Sequence, residues 1–298
     1  MAIRKSAGAG YPGTKHGPYY KGAIGLELMT SIRNFRIPKS YTPPLLITGI
    51  LFAAHISFGI LDSYYNLITA VVSAYVVELI LHRLVMGKWR NMSSAYISGI
   101  SVGILIRSTL LWPYALCAMI SVASKYVLRY KDRHIWNPSN FGIVVMIVLA
   151  SDYMAILSIQ WGNNMWAMLL IWIIGSISIA KIKRFHICAT YVVSFLALAV
   201  VRSWFTGDPY FAEIAPLTGP MYQLFVFFMI TDPKTTVDNR KGQYLVAFSI
   251  AFVEMFFRLN EAVYAPFYAL FLVGPIAMVV DLWLKDTKQQ ENKVLARE

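Results

Sequence analysis

Apolar residues in this chain come in blocks rather than alternating singly, and the blocks are about as long as a bilayer is thick. A helix rises about 1.5 Å per residue and needs about 20 apolar residues to cross the hydrocarbon. Windows of that kind predict ten spans near residues 44–62, 65–84, 94–112, 114–130, 139–156, 165–181, 185–201, 218–232, 243–259 and 262–284. Polar and basic residues cluster between them. The stretch FFMITDPKTTVDNRKG (227–242) shows one such change, from membrane core through Asp232-Pro233 to a water-facing loop. The fold class read from this pattern is an all-α membrane protein. Residues 1–43 form a basic N-terminal segment, 44–284 a ten-helix domain and 285–298 a tail.

Charge assigns the sides. Ten spans place both termini on one face. Of 27 Lys and Arg, 24 fall in the terminal segments and the loops of that face; only Arg107, Arg202 and Arg258 fall on the other. Basic loops stay in the cytoplasm, so both termini are expected there. The net charge of +12 is then a topology signal, and nucleic acid is not an expected partner. A chain that is 57% hydrophobic and 14% charged, with a mean hydropathy of +0.55, has lipid as its expected solvent. Trp112, Trp161, Trp166, Trp204 and Trp283 sit near span ends, where indoles favour the interface. Residues 1–43 show no secretory signal pattern. Cys117 and Cys188 are too few for a disulfide framework, show no metal spacing, and are expected in opposite leaflets.

Two segments align at an offset of 120 residues: SGISVGILIRSTLLWP (98–113) and TGPMYQLFVFFMITDP (218–233), with Ser98-Gly99 on Thr218-Gly219 and Pro113 on Pro233. Spans three and eight would run in opposite directions, the relation of two inverted five-helix repeats. In such folds the site lies where helices break between the halves. Pro113 and Pro233 are each expected to end a span. Asp232 would cap a short helix through PKTTV with Pro233 at its first position, and Asn137-Pro138 would open span five in the same way.

NPSNFG before span five, FFMITDPKT after span eight and SAYISGISVGILI in span three resemble motifs of the NqrB/RnfD family. These are membrane subunits of the sodium-pumping NADH:quinone oxidoreductase and of the Rnf ferredoxin:NAD oxidoreductase. The resemblance covers roughly residues 65–284. It implies a fold of two inverted five-helix halves, as in urea transporters, in a bacterial inner membrane. It also implies an electron-transport subunit working with other subunits of a redox complex, possessing a flavin and exchanging electrons with quinone, with coupled cation movement as a further option. Family members with covalent FMN attach it to a Thr in a Ser-Gly-Ala-Thr motif after the fifth span. Here that loop, LSIQWGNNMW (157–166), contains no threonine. Covalent attachment is therefore not carried over, and non-covalent FMN or riboflavin, or quinone, is the expected cofactor. A small-solute channel or transporter on the same scaffold is the competing reading, and a non-redox assembly subunit is a third.

The resemblance and the repeat together would gather Asn137, Asn140, Thr231, Asp232 and Lys234 at one cytoplasmic vestibule, with Phe141, Phe227 and Phe228 as an apolar wall. Arg107 is the candidate phosphate clamp among the three outer arginines. Arg258 has Glu254 one turn back as a partner, and Glu78 with His82 share one helix face as a proton relay, a metal pair or an interfacial hydrogen-bonding group. Five histidines offer only a His82–His186 pair for haem, which is disfavoured. No metal site is expected.

Overall fold

The computed structural model describes residues 44–45, 48–49, 51–52, 55–56, 61, 63–87, 92–131, 133–156 and 165–295. The segment 1–43, most of the first expected span and the loop 157–164 lie outside the described residues. Every described residue belongs to one compact unit, residues 43–298.

Most of the described residues of this unit are helical. Its helices are α1 (Tyr64–Met86), α2 (Ser93–Leu105), α3 (Trp112–Val127), α4 (Pro138–Ala150), α5 (Met165–Ile182), α6 (Phe185–Thr206), α7 (Tyr210–Ile214), α8 (Pro220–Leu224), α9 (Arg240–Leu259) and α10 (Ala265–Leu295). Four of the described helices, α1, α6, α9 and residues 265–290 of α10, are long and apolar enough to cross a membrane.

Their faces are inverted relative to a soluble protein. On α1, Ala70, Ala74, Glu78 and His82 point inward, while Ile68, Val72, Val76 and Ile80 are about half exposed on the outside. On α9, Gln243 and Glu254 are buried, and Leu245, Phe248, Phe252 and Phe256 face out. Carboxylates inside and aliphatic or aromatic stripes outside suit lipid as the surrounding medium, because a charge facing hydrocarbon costs several kcal/mol.

Local chemistry sets the helix ends. Ser63 Oγ accepts from Tyr65 N (3.1 Å) to start α1, and Gly87, at φ 67°, ends it by donating to Arg83 O. Asn137 starts α4 with Pro138 behind it, its Oδ1 accepting from Asn140 N at 3.1 Å. Asn239 caps α9 through Lys241 N at 3.2 Å.

Helix α1 packs on α2 and α3, and α3 on α4; α6 packs on α9, and α9 on α10; α4 also meets α10. Tyr114, Ile143, Tyr191, Phe195, Phe225 and Phe267 lie fully buried in one core common to these helices. The α3–α4 contact is close because residue 142 is glycine. A Cβ there would stand 2.0 Å from Ser121 Oγ and 2.7 Å from Cys117 O. Gly142→Ala should therefore cost about 2 kcal/mol and lower the thermal midpoint in detergent by several degrees. An unchanged midpoint would mean that α3 and α4 separate without penalty.

Three expected spans differ from expectation. The third ends as a helix at Leu105, and Pro113 lies in the first turn of α3 rather than terminating span three. Helices α2 and α4 have 13 residues each, about 20 Å of rise. Extended pairs follow both: β1 (Ile106–Arg107) is antiparallel to β4 (Ala155–Ile156). That pairing satisfies backbone groups which the shortened helices leave free. The eighth span is a five-residue α8 running into a π turn at Phe225–Met229. Ser98-Gly99 lie inside α2 whereas Thr218-Gly219 precede α8, so the 120-residue alignment does not match helix positions. Helix α10 continues unbroken past Leu284.

Candidate functional site

At the end of the bundle where α1 terminates, the two motifs from distant parts of the chain meet. Asn137 Nδ2 donates to Asp232 Oδ2 at 3.2 Å across 95 residues of sequence. Each residue also caps its own chain. Asn137 Oδ1 holds Asn140 N, while Asp232 Oδ1 accepts from Lys234 N (3.0 Å) and Oδ2 from Thr235 Oγ1 (3.2 Å).

The helix expected through PKTTV is instead a single turn. Its carbonyls are taken by other donors: Thr236 Oγ1 binds Asp232 O at 2.7 Å, and Arg133 donates to Lys234 O and Thr236 O, both at 3.2 Å. Asp232 O also accepts Thr236 N at 3.1 Å, a helical bond, but Lys234 O and Thr236 O are turned to Arg133 and the turn goes no further. Arg133 comes from a two-strand hairpin, β2 (Arg129–Tyr130) against β3 (Arg133–His134), and also pairs with Asp238 at 3.1 Å. A hydrogen bond from Lys285, with Arg133 beside it, holds the Asp238 carboxyl below its usual range.

The other expected site residues divide. Asn140 is buried and donates to Phe267 O at 3.3 Å, and its Oδ1 accepts no hydrogen bond from the described residues. Phe141 stacks at 5.7 Å on Phe271 in a trio with Trp136, so its ring is packing between α4 and α10. Thr231 is buried and bonds back to Phe227 O. Phe227 lies against Gly175 of α5, where a Cβ would meet its ring at 2.5 Å. Phe141 and Phe227 thus pack separately, and neither lines the cavity beside Lys234.

Arg107 is elsewhere. It lies beyond α2, next to Ser63, Tyr65 and Asn66 at the start of α1, on a cavity of about 700 Å³. It donates to Ile106 O at 3.2 Å. Nearly the whole length of α1 separates it from the Asn137–Asp232 contact. The other two outer arginines are ion-paired: Arg202 with Glu213 at 2.6 Å and Arg258 with Glu254 at 3.0 Å.

A second cavity of about 390 Å³ is lined by two residues singled out from the sequence, Glu78 and Lys234, and by Met86, Ser94, Lys125, Tyr126, Arg129, Arg133, His134 and Pro233, which sequence reasoning did not bring to a site. Lys125, which the charge count placed with the loops, is buried in α3 and sits 3.6 Å from Glu78. Tyr126 OH donates to Glu78 Oε1 at 2.9 Å and lies 3.4 Å from His82 Nδ1. Glu78 and His82 thus share a face as expected, in a hydrogen-bonded group. A lysine and tyrosine inside an apolar window were the available signal. No cluster of three or more metal-ligating side chains occurs among the described residues.

His134 reports the local field. Burial, with Lys234 beside it, pushes the imidazole from 6.5 down to about 4. Between those values the unfolded chain binds the proton that the folded one refuses, so stability is present above about 6.5 and is lost as pH falls toward about 4. With the ring only partly shielded, the loss is roughly 2 kcal/mol. Thermal midpoints from pH 7 to 4 should fall, and His134→Gln should flatten that slope. Identical slopes would assign the loss to other groups.

No protein-family model matches this chain, and no curated protein matches it either.

Proposed function

We propose that the chain is a membrane electron-transport subunit similar to NqrB/RnfD, acting with partner subunits through a non-covalent flavin or quinone. The observation that carries this reading is the Asn137–Asp232 hydrogen bond, which joins NPSNFG to TDPKT, the two motifs behind the resemblance.

The packing supports an inverted repeat. Helices α1 and α3 pair as α6 and α9 do, and α3 with α4 as α9 with α10. The directions are opposed: α3 ends near the Asp232 turn at Lys125, whereas α9 begins near it, Gln243 donating to Val237 O at 2.9 Å. With α2, α4 and α8 too short to cross alone, ten passages in a bacterial inner membrane, both termini cytoplasmic, remain our topology. The outward apolar stripes then meet lipid or the other subunits of a redox complex.

The test is the absorption spectrum of the detergent-purified protein before and after acid precipitation. Flavin released to the supernatant is the expected result. Colour retained in the pellet would mean covalent attachment. A folded, colourless protein would overturn the reading in favour of a small-solute channel or an assembly subunit.

A further inference from the structure

The 390 Å³ cavity has an acceptor at its floor and cations toward its mouth. Glu78 and Lys125, 1% and 7% exposed, form the floor. Lys125 is fully engaged, donating to Ser94 O and Ser94 Oγ at 3.1 Å each and facing Glu78 Oε2. Tyr126 serves Glu78 Oε1, yet Oε2 accepts no hydrogen bond from the described residues. That oxygen has the Lys125 charge nearby but keeps an open accepting position, which a bound O–H would fill.

The upper wall carries Arg129, Arg133, His134 and Lys234. Arg133 is committed to Asp238 and two carbonyls. Lys234 is exposed, and its ammonium pairs with no carboxylate among the described residues. Asp232, the nearest acid on the same turn, is occupied by Asn137, Thr235 and the Lys234 amide.

These requirements exclude simple occupants. A free cation would satisfy Glu78 but face Arg129 and Lys234. A bare anion would meet Lys234 but leave Glu78 Oε2 without a donor. We propose that the cavity binds a phosphate ester carrying free hydroxyls, with the phosphate at the Lys234 ammonium and a hydroxyl donating to Glu78 Oε2. Charge-assisted bonds suit the phosphate end, and an uncharged O–H suits a carboxylate already paired with a lysine. The ligand comes either from solution, as a glycerol-phosphate-like molecule, or from the bilayer, as a phosphatidylglycerol headgroup. The exposed side chain of Met86 on the rim is compatible with either route. The inference rests on the lining of the cavity, and its probes carry no flavin, so their binding and the protein's colour succeed or fail separately.

The experiment uses the full chain in a phosphate-free maltoside detergent, titrated calorimetrically with sn-glycerol 3-phosphate and with propyl phosphate, which lacks the hydroxyls. In parallel, thermal midpoints and native mass spectra are taken from nanodiscs of phosphatidylcholine with and without phosphatidylglycerol. A soluble ligand should bind about tenfold tighter as the glycerol ester than as the propyl ester, one hydrogen bond's worth. Lys234→Gln, a surface change that leaves the fold intact, should weaken both about tenfold. A lipid ligand should instead show phosphatidylglycerol retained by the wild type and lost from Lys234→Gln. Equal binding of the two esters, indifference to Lys234→Gln, or no binding in either format would each overturn the proposal.

Discussion

Glu254→Ala should abolish most of the folded yield. Glu254 is fully buried in α9 and accepts from Tyr191 of α6, Tyr222 of α8 and Arg258 of its own helix. Arg258 also donates to Tyr222 and lies 5.4 Å from the Phe195 ring. Removing the carboxylate leaves a largely buried guanidinium and two buried hydroxyls without their shared acceptor. Breaking one side of such a pair costs about 3–5 kcal/mol, a large share of any domain's stability. The check is monodisperse yield and thermal midpoint in detergent. Glu254→Met with Arg258→Met should recover a good part of the loss, because the stranded charge is gone. A double variant no better than Glu254→Ala would show that the network does more than hold three helices together, and would direct attention to the two tyrosines.

Asp232→Ala should come second, at about 2–3 kcal/mol. It deletes the cap on Lys234 N, the bond to Thr235 and the contact with Asn137 together. Asp232→Asn keeps an acceptor for the turn and should lose much less. The expected signature is lower folded yield with function per folded molecule largely retained, since the residue acts as a cap and a clasp. Unchanged yield with loss of redox function would contradict that role and place Asp232 against a ligand.

Several features were legible in the residues themselves. Asn137-Pro138 announced a helix start, and the structure has α4 beginning there. Glu254 and Arg258, one turn apart, announced their ion pair. Other features were not. The helix expected after Asp232 failed because Arg133, 101 residues away, takes the Lys234 carbonyl. Lys125 read as a loop charge because nothing in its neighbours says that Glu78, one helix away, is waiting for it. Phe141 read as a cofactor wall because its packing partners, Trp136 and Phe271, belong partly to a helix 130 residues on.

What the sequence alone determined was the medium and the local stops. Blocks of apolar residues, the Asn137-Pro138 helix start and i,i+4 pairs act within a turn or two of helix, so their outcome is written in neighbouring letters. Which helices stay short, and which buried polar atoms find partners, only the tertiary structure decided. In a lipid-facing protein every inward polar group must be satisfied from another helix. The partner of Glu254 on α6, like that of Asn137 at the Asp232 turn, is fixed by packing between segments rather than by any pattern along the chain.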